Sequence, residues 1–272
     1  MTAPVEDFLR RYHDRNPDGQ SSLGLSGQVV GDGRKSYDVL ADRVAGARRV
    51  LDLGCGDGEL LEILAGRGAE VLAGIDLSSG ELAAARRRPT LAGADLRQGR
   101  AQELPFEDGS FDAVVSHMAL MLMVDVPVIA AEVARVLAPG GTFAVAVGAG
   151  PADAAEVFLS LARPMFDAVP KERQLPKAGD PRTRRRDGLD ELLAPAGFEP
   201  VSWDTLVLDL GGPAEEVWHR CCETYYPVST LDDARLAELR AAFEASTREL
   251  LTEDGRLPSG AKMSLAVTRL RS

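Results

Sequence analysis

The chain has 272 residues, of which 45% are apolar, and it carries a formal net charge of −11. This length accommodates one large α/β domain or two small ones with a real hydrophobic core. Proteins that bind nucleic acid through its phosphates usually carry the opposite charge, so we expect no nucleic-acid partner.

The cysteines, Cys55, Cys221 and Cys222, are odd in number and have no framework spacing. This argues against a secreted fold that is stabilised by disulfide bonds. No set of Cys and His residues has the spacing of a zinc site, so we expect no bound metal. The N-terminus lacks an apolar signal core, and no window has the length of a membrane span. We therefore expect a cytoplasmic protein without membrane contact.

The first part of the chain precedes any strand signal. Residues 4–13 predict a short amphipathic helix, and residues 16–33 are rich in Gly, Ser, Asn and Asp, which favours a loop. A helical pattern follows at 35–45. We interpret residues 1–34 as an N-terminal lid segment and residues 35–272 as the main domain.

Strand and helix signals then alternate. Strands are predicted at 49–54, 70–77, 94–99, 111–118 and 142–147, and helices at 57–66, 79–87 and 126–137. Apolar strands separated by helices indicate a parallel sheet that is covered on both faces. Right-handed crossovers make this a doubly wound α/β fold.

The regular alternation of strand and helix signals ends after residue 150. Helices are predicted at 152–168, 188–198, 213–225 and 231–252, a polar loop up to 187, and strands at 199–210 and 262–270. The segments 150–187 and 213–258 follow predicted strands five and six, so they leave the sheet at its carboxyl edge. We interpret them as helical cap insertions that enclose a small-molecule substrate.

Glycine is concentrated in "VLDLGCGDGELLEIL" (50–64), where the first strand turns into its helix. Gly54, Gly56 and Gly58 allow a tight bend and a close approach of a ligand to the backbone. Because G-x-G-x-G alone is a weak signal, a purely structural turn stays open as an alternative. A dinucleotide site would prefer G-x-G-x-x-G, which argues against a nicotinamide oxidoreductase.

The charges around this turn favour a cationic ligand. Asp57 and Glu59 would repel a pyrophosphate but attract an amino group or a sulfonium. Asp76, at the end of the second strand, stands where a carboxylate accepts the hydroxyls of a ribose. These residues together indicate a positively charged nucleoside.

The chain resembles the class I S-adenosylmethionine-dependent methyltransferases, and within them the ubiquinone/menaquinone-methyltransferase-like branch. "LDLGCGDGELL" and "GIDLS" resemble their first two motifs. "GRAQELPFEDGSFDAVVSHMAL" and "EVARVLAPGGTFAVAV" are similar to the later ones. The resemblance covers residues 35–148. It implies S-adenosylmethionine as cofactor and a mostly parallel, seven-stranded Rossmann-like sheet whose last strand, 262–270, is antiparallel.

The resemblance also implies roles for individual residues. Asp76 would bind the ribose, Leu77 would pack near the adenine, Ala101 would donate its N–H to the adenine ring, and Ser116 would border the amine. The residues expected around the methionine part are Asp52, Gly54, Cys55, Gly56 and Gly58. The family usually has an aspartate before the alanine, whereas this chain has Arg100, which cannot accept a hydrogen bond. Either Gln102 substitutes, or the backbone alone holds the adenine.

His117 ends the fourth strand beside the expected methyl group, and histidine titrates near neutrality. It is our candidate for a catalytic base, with a neutral wall histidine as an equal alternative. "RTRRR" (182–186) is either a solvated loop or a contact for an acidic substrate or a carrier protein. A contact with a partner enzyme is a further expectation for the chain. Tyr226 and its neighbours either face substrate or pack within a helix, and packing is favoured for each single residue.

These patterns predict a methyltransferase acting on an O, N or C nucleophile of a small molecule, in specialised biosynthesis. One alternative keeps the fold and the cofactor but catalyses a cyclisation, elimination or hydrolysis. Another is a non-enzymatic subunit, which the intact glycine turn and Asp76 disfavour.

Overall fold

The computed structural model describes residues 3–22, 24 and 27–272. Parts of the predicted lid segment, residues 1, 2, 23, 25 and 26, lie outside the described residues. The described helices are α1 (Pro4–Arg15), α2 (Gly19–Ser22), α3 (Ser36–Asp42), α4 (Glu59–Gly66), α5 (Ser79–Ala85), α6 (Val126–Val136), α7 (Ala154–Asp167), α8 (Arg186–Leu193), α9 (Ala214–Thr224) and α10 (Asp233–Thr247).

The strands are β1 (Gln28–Val29), β2 (Arg49–Leu53), β3 (Val71–Asp76), β4 (Asp95–Gln98), β5 (Phe111–His117), β6 (Leu137–Asp153), β7 (Ser202–Asp209), β8 (Gly212–Pro213), β9 (Arg256–Leu257) and β10 (Ser259–Arg269). Within the described residues, eight of them form one sheet in the order β1-β7-β10-β6-β5-β2-β3-β4. The strands β2 to β6 pair in parallel, whereas β10 is antiparallel to both β6 and β7. The doubly wound α/β fold and its antiparallel last strand are confirmed.

The sheet has one strand more than the predicted seven. β1 pairs antiparallel with β7 at the edge of the sheet, through Gln28↔Asp209 and Val29↔Leu208. This strand lies in a segment that the sequence predicts as loop, which also contains α2. Two residues are too few to show the alternation by which a strand is recognised.

Apolar residues form the central strands because both faces of the sheet are covered. Val50, Leu51 and Leu53 of β2 are fully buried. Leu51 and Leu53 pack with α6 and α8 on one face, whereas Val50 packs with α3 and α4 on the other. The carboxyl ends of these strands are therefore held in place by packing on both faces of the sheet.

Helices α7, α9 and α10, which lie within the two predicted cap insertions, pack on one another. Their shared core contains Phe158, Val217, Trp218, Leu239 and Phe243, all of them buried. α7 follows the carboxyl end of β6, and α9 and α10 connect β7 to β10. Both insertions thus leave the sheet at the edge where its parallel strands end.

Helix α1 docks on α5. Asp14 accepts hydrogen bonds from the Ser78 hydroxyl at 2.8 Å and from the Gly80 amide at 3.1 Å, so its carboxylate covers the free N–H groups at the start of α5. Within the described residues, none of the helices combines the length and the apolar character needed to cross a membrane.

Candidate functional site

The three glycines of the β2–α4 turn all have positive φ, at 69°, 50° and 82°. A Cβ on Gly54 would lie 2.4 Å from Ala119 Cβ, and one on Gly58 2.6 Å from Leu91 Cδ1. A Cβ on Gly56 would meet nothing nearer than a Glu81 oxygen at 3.9 Å. Gly54 and Gly58 are therefore required for close packing, whereas Gly56 leaves open space beside its backbone.

Asp76, at the end of β3, is fixed by the backbone of two turns. Its Oδ2 accepts the Gly56 N–H at 3.0 Å, and its Oδ1 accepts the Ser78 N–H at 2.8 Å. Burial raises the pKa of this carboxyl group, and the two hydrogen bonds oppose that rise. Each oxygen keeps a lone pair for a ligand.

Two contiguous cavities, A and B, open at this edge and share Asp76 and Gly54. Cavity A, of about 90 Å³, is lined by Glu6, Leu9, Arg10, His13, Gly54, Ile75, Asp76, Leu77, Ser78, Gly99, Arg100, Ala101, Gln102, Ala119, Leu122 and Met123. Cavity B, of about 100 Å³, is lined by His13, Asp18, Ser21, Tyr37, Gly54, Cys55, Gly56, Asp57, Asp76, Glu81, His117, Met118, Ala119, Leu122 and Tyr226.

Helix α1 supplies a carboxylate, that of Glu6, to the part of cavity A that Arg100 and Gln102 line. Glu6 Oε1 accepts from Arg100 Nε at 3.1 Å, from Arg100 Nη2 at 2.9 Å and from Gln102 Nε2 at 2.9 Å. Glu6 is 4% exposed. Arg100 thus brings a carboxylate to the place where the family usually has its own aspartate, and Gln102 contacts that same carboxylate.

Cavity B is acidic. The carboxylates of Asp18, Asp57, Asp76 and Glu81 line it. Asp57 is paired with Arg88, and Glu81 Oε1 lies 3.2 Å from His13 Nδ1. Because the carboxylates outnumber these partners, the cavity favours a cationic ligand over an anionic one.

Asp52 lies beneath the glycine turn, 2% exposed, and its Oδ1 has no hydrogen-bond partner among the described residues. Burial, followed by the nearby Asp76 carboxylate, raises the pKa of Asp52 to about 8. At neutral pH the group is therefore mostly protonated, and its partnerless Oδ1 is left open to a donor or a cation, which would favour the ionised form.

His117 lines cavity B at the end of β5. Its Nε2 lies 2.9 Å from Ser36 Oγ, and its ring centroid lies 4.1 Å from that of Tyr37. Burial lowers the pKa of His117 to about 3, so the imidazole is neutral at neutral pH. The neutral form can accept a proton, but so low a pKa makes it a weak base.

Most of the predicted site residues lie on one of the two cavities: Gly54, Cys55, Gly56, Asp76, Leu77, Ala101, Gln102 and His117. Asp52, Gly58 and Ser116 line neither cavity. The Ser116 hydroxyl donates to the Leu53 carbonyl at 2.9 Å and accepts the Leu120 N–H at 3.2 Å, which holds β5 against β2. Ser116 through these hydrogen bonds, and Gly58 through close packing, therefore shape this edge of the sheet.

The sequence interpretation missed the residues of α1 that face the site. Glu6, Leu9, Arg10 and His13 line cavity A, and His13 also lines cavity B. The amphipathic spacing of residues 4–13 predicted the helix, but spacing alone does not say what the helix packs against.

The residues around the paired tyrosines divide between packing and the site. Tyr226 lines cavity B, whereas Tyr225 stacks on Phe158 at 5.7 Å and Trp218 is buried beside the same ring. His219 is exposed and pairs with Glu215.

A comparison with protein-family models identifies residues 51–145 as a methyltransferase domain. These residues run from β2 into β6 and contain the glycine turn and Asp76. This domain belongs to the class I S-adenosylmethionine-dependent methyltransferases. The predicted resemblance is therefore confirmed, and S-adenosylmethionine is the cofactor of this family.

Two curated relatives match part of the chain. A fatty-acid O-methyltransferase of Mycolicibacterium smegmatis is 38% identical over 132 residues, which cover 48% of this chain and 43% of the relative. A demethylmenaquinone methyltransferase of Thermus thermophilus is 38% identical over 116 residues, which cover 41% and 51%. The chain thus spans about half the length of the curated relatives it matches.

Solved structures resemble the chain beyond the methyltransferase domain. The [4+2]-cyclase SpnF superposes with a TM-score of 0.60 at 21% identity, covering 100% of this chain and 98% of that one. At this identity the likeness shows a shared fold.

The residues present fit S-adenosylmethionine on three observations. Asp52 has a buried oxygen without a donor, Gly56 leaves open space at the turn, and Asp76 holds free lone pairs between the two cavities. The acidic cavity B suits the ammonium and sulfonium of the methionine part. Cavity A, beside Leu77, Ala101 and Gln102, suits the adenine.

Proposed function

We propose that this protein transfers a methyl group from S-adenosylmethionine to an O, N or C nucleophile of a small molecule. The observation that carries the proposal is the position of Asp76. Its carboxylate stands between an acidic cavity at the glycine turn and a second cavity lined by Leu77 and Ala101. Such a carboxylate is placed to accept two ribose hydroxyls.

S-adenosylmethionine supplies an activated methyl group when it is bound. The chain's own residues would bind and orient it. Asp76 would hold the ribose, Gly56 would admit the methionine part, and Asp52 would accept a hydrogen bond from a cationic group. Ala101 would donate its N–H to the adenine, beside Leu77 and Gln102.

His117 would border the methyl group on the floor of cavity B. Methyl transfer requires an in-line approach of an unprotonated nucleophile, so positioning can supply most of the rate. The neutral imidazole, already beside the Ser36 hydroxyl, is a base only for an acceptor that loses its proton readily. We keep His117 as the proposed catalytic residue and its variant as the test.

Residues 1–34 would act as a lid, and the insertions 150–187 and 213–258 as the cap over the acceptor. Support comes from α1, which lines both cavities, and from Tyr226, which brings the second insertion to cavity B. The curated relatives are named for a fatty acid and for demethylmenaquinone, which supports a small-molecule acceptor. Specialised metabolism in the cytoplasm is part of the same proposal.

Calorimetry with S-adenosylmethionine, S-adenosylhomocysteine and NADH tests the cofactor. We expect both sulfur nucleosides to bind and NADH not to bind. Asp76→Ala should weaken S-adenosylhomocysteine binding roughly ten- to hundred-fold, since a hydrogen bond to a charged group contributes about 1.5–3 kcal/mol. The matched control is Asp95→Ala, an exposed carboxylate on β4 that lines neither cavity.

Equal affinity in the two folded variants would reject the ribose assignment. Tight cofactor binding without transfer of labelled methyl to any acceptor of a broad small-molecule panel would favour the non-methylating alternative, in which the same fold cyclises, eliminates or hydrolyses.

A further inference from the structure

A third cavity, C, lies on the other side of α1 from the cofactor site. It measures about 340 Å³, is open to solvent, and is lined by α1, the end of α7, residues 174–178, Tyr226, Pro227 and Thr230. This volume falls in the range of about 300–1,000 Å³ that is usual for small-molecule sites. Cavities A and B are each less than a third of this size.

The wall of cavity C is mostly hydrocarbon. Its apolar lining comprises Val5, Phe8, Leu9, Phe166, Leu175 and Pro227. Two polar groups on the same wall have internal partners, because Gln174 Nε2 donates to the Val169 carbonyl and Thr230 Oγ1 donates to the Pro227 carbonyl. The charged residues on the wall, Asp167 and Lys177, are exposed. An apolar guest gains from this surface, whereas a charged guest would lose its hydration.

Cavity C is one side chain away from the site of the methyl group. Tyr226 lines both cavity B and cavity C, and Leu9 lines both cavity A and cavity C. The Tyr226 hydroxyl lies 3.1 Å from His13 Nε2, and its ring meets that of Tyr12 edge-on at 4.9 Å. Tyr226 thus forms a partition between cavities B and C. Its hydroxyl faces cavity B, and its ring faces the apolar wall of cavity C.

We propose that cavity C binds the apolar part of the methyl acceptor, an amphipathic small molecule whose nucleophilic group passes Tyr226 into cavity B. This proposal rests on the proposed function and names its substrate class. The acceptor carries an uncharged hydrocarbon portion and one nucleophile at its polar end. The apolar part supplies affinity, and the partition fixes which end faces the methyl group.

The test is calorimetry with primary alcohols from 1-hexanol to 1-decanol, with and without saturating S-adenosylhomocysteine. Each added methylene that enters an apolar cavity should raise the affinity roughly fourfold. Because cavity C shares only Leu9 with cavity A and only Tyr226 with cavity B, the alcohol should bind within about threefold as tightly when S-adenosylhomocysteine is present.

Ala178→Trp fills the cavity from residues 174–178, and Pro176→Trp is a second variant at the same wall in case the first fails to fold. The matched control is Ala237→Trp, an exposed alanine on α10 that does not line cavity C. We expect the cavity variant to lose at least tenfold in 1-decanol affinity and the control to stay within twofold. All should bind S-adenosylhomocysteine as the unaltered protein does.

Affinity that is independent of chain length, equal 1-decanol binding in the cavity and control variants, or competition between 1-decanol and S-adenosylhomocysteine would overturn the assignment of cavity C. Failure of S-adenosylhomocysteine to bind the unaltered protein would instead overturn the proposed function. The alcohol series would then still decide whether cavity C is an apolar site.

Discussion

Replacing Glu6 by glutamine isolates the contact that holds α1 over cavity A. The Glu6 carboxylate has two tasks. Its Oε2 accepts the Ala3 N–H at 2.9 Å within the first turn of the helix, and its Oε1 accepts the donors of Arg100 and Gln102. Glutamine performs the first task equally well. It loses the charge that the second requires and presents an amide N–H₂ to other donors.

The expected loss is about 2 kcal/mol. A hydrogen bond to a charged group contributes about 1.5–3 kcal/mol, and Arg100 is 31% exposed, so water replaces part of what it loses. A loss of this size raises the population of undocked α1 roughly 30-fold. The control is Asp7→Asn on the same helix, whose ion pairs with Arg10 and Arg11 are exposed, so water and salt screen them and their loss should change the docking of α1 little.

Hydrogen exchange of the α1 amides, followed by mass spectrometry, measures this population directly, because exchange tracks the opening equilibrium. We expect exchange roughly 30-fold faster in Glu6→Gln, a change of less than about fivefold in Asp7→Asn, and slower exchange in all three proteins when S-adenosylhomocysteine is saturating. Equal exchange in the two variants would refute the view that the Glu6 contact docks the helix. Exchange unaffected by S-adenosylhomocysteine would refute the role of α1 as a lid.

The remaining predictions concern the turn and the two perturbed groups. Gly56→Val should abolish S-adenosylhomocysteine binding in calorimetry while urea unfolding shows the fold retained. Gly58→Ala should mainly lower the free energy of unfolding, since its Cβ meets Leu91 rather than a cavity. Because the pKa of Asp52 is raised to about 8, ligand binding that ionises it should release a proton, and affinity should rise with pH up to about 8 and then level off. Calorimetry in two buffers of different ionisation enthalpy measures that release, and zero release at pH 6–7 would contradict it. Since the folded pKa of His117 lies near 3 and the unfolded one near 6.5, its stabilising contribution is present above pH 6.5 and is lost as pH falls. Between pH 7 and pH 5, the free energy of unfolding in urea should therefore fall by up to about 2 kcal/mol less in His117→Asn than in the unaltered protein. An equal fall in both proteins would contradict the shifted pKa of His117. Full turnover in this variant would leave positioning as the mechanism.

The part of the site that the sequence predicts well is the part in which local chemistry decides structure. Gly54, Gly56 and Asp76 follow strands whose apolar runs are unmistakable, and the bend they make is required whatever packs above it. Leu77 and Ala101 were named from the family resemblance instead, and both line cavity A. Gly58 shows the limit of prediction from local chemistry, because a glycine needed for a ligand and one needed for packing look alike in a sequence.

What the sequence does not predict depends on contacts between distant segments. Glu6 at the start of α1 has the spacing of an ordinary helix cap, and its contact with Arg100 spans 94 residues. In the sequence alone, Arg100 suggests that a contact with the adenine has been lost. In the fold, Arg100 contacts the carboxylate of Glu6. The edge strand β1 and the cavity-facing side of Tyr226 were likewise beyond reach, since each depends on which surface docks there.

The aromatic contact between α1 and the second insertion has a consequence for the order in which the site is completed during synthesis. His13 and Tyr226 are 213 residues apart in the chain. At a translation rate of about 5–20 residues per second, roughly 10–40 seconds separate their appearance at the ribosome. Strands β2 to β7 and the glycine turn are made within that interval, whereas β10, which lies between β6 and β7 in the sheet, is made after Tyr226. The edge that carries Asp76 and the glycine turn is therefore synthesised well before Tyr226, the residue of the second insertion that lines cavity B.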